Sequence, residues 1–211
     1  PYIDLAKKVF PNANIVVDKF HIVQLLTREL NKLRINEMKK LNTRSREYKI
    51  LKRYWKIPLR KNWELNSIYF YKNIHFKNMT SSVDILDYML GKFPNLKEAY
   101  DFYQNFLLSI SKNDVAMLED ILNTRTDKIP VCFRKSIKTL KKLRKYVVNS
   151  LKYDYTNAMV EGKNNKIKVI KRVSYGYRSF RNFKARIMLM ERYKIQKGNI
   201  HSYKFAMDAA A

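Results

Sequence analysis

The sequence predicts a mainly α protein with one or two short strands. Apolar residues recur at three- and four-residue spacing along most of the chain, the period of a helix face. Only 4 glycines and 5 prolines punctuate 211 residues, too few for the many tight turns of an all-β fold. Hydrophobic residues reach 46%, which supports a buried core and excludes a disordered tail. The length allows one large domain or two small ones.

The elements follow in order. Tyr2 to Phe10 reads as a short helix through Ile3, Leu5, Ala6 and Phe10, and Pro11-Asn12 breaks it. Ile15-Val16-Val17 is a β-branched run ending at Asp18 and is the best strand candidate. Ile22, Leu25, Leu26, Leu30 and Leu33 predict a long helix that extends toward Met38 and Leu41. Residues 44–63 are basic and aromatic, with Tyr48, Leu51, Tyr54 and Trp55 at helical spacing before Pro58. Asn66 to Ser82 shows no clear period. Pro94 opens a helix through Leu96, Tyr100, Tyr103, Leu107 and Ile110. Asp114 opens another, through Val115, Leu118 and Leu122. After Pro130, one helix carries Phe133, Ile137, Leu140, Val147 and Leu151. Thr156 or Asn157 caps the next, which ends near Gly176. A last helix uses Phe180, Phe183, Ile187 and Met190.

Composition narrows the function. Lys and Arg number 44 against 18 Asp and Glu, a net charge of +26. Such a charge calls for a polyanionic partner, most simply nucleic acid. Residues 125–197 hold 22 basic and 4 acidic residues, whereas residues 84–120 hold 3 basic and 7 acidic ones. The basic third is expected to face phosphate, and the acidic stretch to be a spacer or partner-facing layer. One cysteine, Cys132, excludes a disulfide scaffold and a cysteine-rich zinc site. His21, His75 and His201 lack metal-ligand spacing. No apolar run approaches the roughly 18–20 residues of a membrane span, and no signal peptide is visible, so an intracellular setting is expected.

Three constellations can carry chemistry. In the block Thr156 to Arg172, helical geometry puts Glu161, Asn165, Lys168 and Arg172 on one face. A lone carboxylate among amides and cations can hold a divalent metal while its neighbours hold phosphates. The same residues also fit an ordinary basic helix with one stabilising carboxylate. Asp18 and His21 sit at the end of the strand candidate and suit metal support, or simply a capping Asp beside a half-buried His. Tyr175, Tyr177, Arg178 and Arg181 interleave aromatics with arginines, which suits base stacking beside phosphate contacts. Phe180 and Phe183 are expected in the core. Lys138, Lys141, Lys142, Arg144 and Lys145 read as a solvated helix face within reach of phosphate.

Taken together, these motifs resemble the bacterial insertion-sequence DDE transposases of the ISL-three type. The resemblance rests on Pro1-Tyr2-Ile3-Asp4-Leu5-Ala6-Lys7-Lys8-Val9-Phe10-Pro11-Asn12-Ala13 and on Ile15-Val16-Val17-Asp18-Lys19-Phe20-His21-Ile22-Val23. It continues through Arg53-Tyr54-Trp55-Lys56, the Thr156–Arg172 block, Tyr175-Gly176-Tyr177-Arg178 and Phe183. It implies the C-terminal part of an RNase H-like α/β core carrying a large helical insertion. The implied core remnant is residues 1–21, the insertion 22–152, the core helix with its basic successor 153–197, and a tail 198–211. The implied activity is Mg2+-dependent DNA cleavage and strand transfer with two metal ions held by three acids. Glu161 matches the third acid, and Lys168 the basic residue beside it. The DNA contacts implied around them are Lys163, Lys166, Lys168, Lys171, Arg172, Tyr175, Tyr177, Arg178 and Arg181. Asp18 and His21 match a supporting element, and Asp18 as a direct ligand is the second reading. Implied partners are element ends and target DNA, with self-association on DNA, no membrane, and a cytoplasmic, nucleoid-associated location. The family's first two catalytic Asp residues find no counterpart here, and the chain begins at Pro1 without a methionine. A truncated product or fragment is therefore expected, one that binds DNA without cleaving it alone. The alternative is a non-catalytic helical nucleic-acid-binding remnant.

Overall fold

The computed structural model describes residues 2–123, 129–153, 155, 157–195 and 205–207. The chain separates into two compact units, Pro1–Tyr155 and Thr156–Ala211.

The first unit is built of helices. α1 (Tyr2–Val9) is followed by an extended segment and by α2 (Lys19–Lys39). α2 lines up Ile22, Leu26, Leu30 and Leu33 as a buried stripe, and burial of each such side chain is worth about 1.5–3 kcal/mol. It packs on α5 (Pro94–Lys112) and α7 (Val131–Lys142). α5 contributes Leu96, Ala99, Tyr103 and Phe106 to the core. The Phe102 ring meets the Phe133 ring of α7 edge-on at 5.8 Å. α3 (Arg46–Arg53), α4 (Ser82–Lys92), α6 (Val115–Asn123) and α8 (Arg144–Lys152) complete the bundle. Polar ties fix the packing. The buried Arg34 guanidinium on α2 donates to the Leu51 carbonyl on α3 at 2.7 Å. The Tyr103 hydroxyl lies 2.9 Å from Thr27 Oγ1 and donates to the Leu59 carbonyl at 3.1 Å.

Four features depart from the sequence reading. Ile15-Val16-Val17 forms no strand. Its backbone is instead held by α8: the Asn149 side-chain amide donates to the Ile15 carbonyl at 2.9 Å, and the Val17 N–H donates to the Tyr146 carbonyl at 3.4 Å. A β-branched run becomes a strand only with a strand beside it. The single helix expected after Pro130 breaks at Leu143 (φ −96, ψ 9), giving α7 and α8. The aperiodic stretch 66–82 contains a two-stranded antiparallel hairpin, β1 (Tyr71–Lys72) with β2 (Met79–Thr80). α4 carries a capping box not anticipated from periodicity. Ser81 Oγ accepts from the Asp84 N–H while the Asp84 carboxylate accepts from the Ser81 N–H.

The second unit contains α9 (Ala158–Val173) and α10 (Phe180–Arg192), which pack against each other. An antiparallel pair follows, β3 (Tyr193–Ile195) with β4 (Phe205–Met207). Asn157 is at the N-cap of α9, but its side chain makes no capping hydrogen bond. Thr156, the other expected cap, and His201 lie outside the described residues.

Candidate nucleic-acid interface

α9 forms where the sequence places it, with its first carboxylate, Glu161, in the first turn and Lys171 and Arg172 in the last. That order suits the helix dipole at both ends. Glu161, Asn164, Asn165, Lys168, Lys171 and Arg172 are all exposed. The face predicted to combine one acid with several cations therefore meets solvent. Val160 is exposed as well, and Ile170 is the buried apolar residue of α9. A small cleft between α9 and α10 is lined by Val169, Ile170, Val173, Arg186 and Met190. Lys166 on α9 donates to the Met190 carbonyl of α10 at 3.0 Å. That bond joins the two helices through one of the three ammonium hydrogens.

The turn between the helices gives the aromatics different roles. Tyr175 (φ 51) and Gly176 (φ 99) both have left-handed backbones. Their N–H groups close the end of α9 on the Arg172 and Lys171 carbonyls at 3.0 Å each. The Tyr175 side chain is fully exposed, at 102%. Tyr177 is half-buried: its ring lies 4.9 Å from that of Phe183, and its hydroxyl is 2.7 Å from Ser174 Oγ. Phe183 is likewise half-buried, but Phe180 is 76% exposed and is not a core residue. Arg178 and Arg181 are exposed.

Asp18 and His21 lie in the first unit. Asp18 is the N-cap of α2, its carboxylate accepting from the Phe20 N–H at 2.7 Å. His21 is exposed and lines a cleft with Val17, Leu25, Arg28, Leu140 and Val147. Its ring meets Phe20 edge-on at 5.6 Å. Among the described residues, no group of three or more His, Cys, Asp or Glu side chains could hold a metal ion. A pair of Mg2+ ions needs several carboxylates, and α9 supplies one. The residues present do not by themselves make a magnesium site.

One basic cluster was missed in the sequence. Arg44, Arg46 and Lys49 come together with His75, Phe76 and Lys77 around a cleft of about 350 Å3. The sequence shows the cations, but only the fold brings the 73–78 turn against α3.

Comparison with known proteins identifies the chain. The family model of the ISL-three DDE transposases, described as transposase, matches residues 1–187. A Lactococcus lactis subsp. lactis protein named ATP-dependent protease is 39% identical over 121 residues, which are 57% of this chain and 38% of that protein. The chain thus spans well under half the length of this relative. No solved structure matches. No helix among the described residues is long and apolar enough to cross a membrane. With the family model covering nearly the whole chain, and the acid-bearing basic helix formed inside the matched region, the chain belongs to the ISL-three family of DDE transposases.

Proposed function

We propose that this chain is the DNA-binding, C-terminal part of a DDE transposase and that Glu161 is the third acid of its catalytic site. One observation carries the reading. Glu161 stands exposed on α9 amid Lys163, Lys166, Lys168, Lys171 and Arg172, within the stretch matched by the family. The cations, with Arg178 and Arg181, hold the DNA backbone, and Tyr175 stacks on a base. Asp18 and His21 are assigned a supporting role in the complete enzyme. The other two acids, and with them the Mg2+ of the complete enzyme, come from an RNase H-like core that this chain completes. Alone, with one carboxylate on α9, the chain binds DNA and does not cut it. The acting form assembles on DNA as a dimer of chains near the nucleoid.

The alternative is a non-catalytic nucleic-acid-binding remnant, favoured by the lack of a three-acid cluster among the described residues. One experiment separates the two. The chain is joined to a core carrying the two upstream Asp residues, and nicking of element-end DNA is followed with Mg2+. Nicking is expected, and Glu161→Gln is expected to abolish it while leaving DNA affinity unchanged or slightly raised. Nicking that persists in Glu161→Gln removes Glu161 from the metal site.

A further inference from the structure

The basic cleft of the first unit has the construction of an anion site. Its wall is the start of α3, where Ser45 Oγ caps the helix by accepting from the Tyr48 N–H at 3.2 Å. Its other side is the turn between β1 and β2. Arg44, Lys49 and Lys77 are exposed cations on its rim. Arg46 is held differently. Its guanidinium lies over two ring faces, 5.2 Å from the Phe76 centroid and 5.0 Å from that of Tyr88. Its Nε donates to the His75 carbonyl at 2.7 Å. Among the described residues its two terminal nitrogens have no hydrogen-bond partner. A guanidinium fixed this way loses little entropy when an anion arrives, and its free edge fits the paired oxygens of a phosphate.

The acid nearest in sequence, Glu47, does not line the cleft; its carboxylate accepts from the Tyr88 hydroxyl at 3.0 Å and offsets part of the Arg46 charge. The potential is visible at His75, which lines the cleft. Burial pushes its imidazole below the ordinary value, and Arg53, Lys49 and Arg46 push it further. Four cations converge here and no carboxylate lines the cleft, so the excess positive charge calls for a counterion.

We propose that this cleft binds a backbone phosphate of DNA, giving the helical region a contact of its own made by residues other than those of α9 and α10. The proposal rests on DNA being the partner. The 73–78 turn and α3 are joined through the core, so the site is pre-formed, and it reads phosphate without reading sequence.

The test is duplex binding by fluorescence anisotropy across a salt series, with the wild-type chain and an Arg44→Gln/Lys49→Gln/Lys77→Gln variant. All three side chains are exposed and outside the core, and Arg46 is spared because its stacking ties α3 to α4. The expected result is a salt slope smaller by about 1 for each phosphate the variant no longer neutralises, with about tenfold weaker binding at low salt. Proton NMR of the His75 ring supplies the second readout: DNA is expected to raise its midpoint, as a phosphate offsets Arg46 and Lys49. An unchanged salt slope in the variant overturns the proposal. So does a His75 midpoint that DNA leaves in place. If inorganic phosphate alone moves His75 while the variant's DNA slope stays the same, the cleft is a small-anion site and the DNA assignment falls. A wild-type chain that binds no duplex at all is a different failure, since it removes the DNA reading itself.

Discussion

Tyr175 is the residue at which backbone cost and exposure meet. A left-handed backbone costs a non-glycine residue about 1–2 kcal/mol, and here (φ 51) the side chain gains nothing from burial. Its position follows from the helix end: with Gly176 (φ 99) it turns the chain so that both N–H groups reach the last carbonyls of α9. Glycine at 175 would make the same turn without strain, although a freer unfolded chain offsets part of that gain. On the proposed function, a stacking role accounts for the tyrosine there. Tyr175→Gly is expected to leave the melting temperature unchanged or slightly raised and to weaken DNA binding by about 1–3 kcal/mol, the worth of one base–aromatic stack. Thermal denaturation and anisotropy on the same sample check both parts. Equal DNA affinity in the variant would return Tyr175 to a plain turn residue.

At the level of elements, α3 and α4 are tied by the Glu47–Tyr88 hydrogen bond, and that tie carries a pH dependence. Glu47 is held below the usual carboxylate range, first by its own backbone N–H and then by the Tyr88 hydroxyl, with Lys92 and Arg46 adding to both. A carboxyl whose folded value is depressed binds its proton more readily in the unfolded chain. Its stabilising contribution is therefore complete above the unfolded value of about 4.3 and fades as pH falls through the lower folded value. Tyr88→Phe removes the second cause and keeps the first. The fall in stability between neutral and acid pH is expected to shrink without vanishing, as read from urea midpoints at pH 7 and pH 3. An unchanged difference would show that the hydroxyl does not hold the carboxylate. The elements also show what a sequence can and cannot display. α2 and α5 were legible because one stripe of apolar residues runs through several turns in each. The break at Leu143 was not, because Leu140 and Val147 continue the apolar pattern across it and only packing separates α7 from α8. The strand at Ile15–Val17 failed for the reason that β propensity describes a fit to neighbours, and Tyr146 and Asn149 on a helix took those hydrogen bonds. The capping box at Ser81 and Asp84 was readable from spacing alone, and it marks the start of α4 that periodicity passed over.

Across the whole molecule, core and charge are divided unequally. The buried apolar cluster runs from Ile22 to Leu151, all within the first unit. Among residues 157–190, Ile170 is the one buried apolar side chain, while Met159, Val160, Val169, Val173 and Phe180 are exposed. Helical stability in proteins comes mainly from tertiary packing of an apolar face, and a helix such as α9 with one buried apolar side chain sits at the low end of local stability. The acid-bearing face of α9 was legible from the sequence because all of its members lie on one helix. The cleft at Arg46 was not, because its members come from two segments that only the fold brings together. The same division sets an expectation for dynamics. A helix with little core of its own and a dense row of cations gains its order from an anionic partner, through ligand binding to the folded form alone. Amides of residues 158–173 are expected to exchange with solvent faster than those of α2 and α5 in the free chain. At a DNA concentration 100 times Kd they are expected to slow by up to about a hundredfold, the equivalent of about 2.7 kcal/mol, with α2 and α5 changing far less. Hydrogen exchange followed by mass spectrometry resolves these segments. If α9 is as protected as α2 without DNA, the second unit holds itself together, and the lysines of α9 decorate a helix that is ordered before any partner arrives.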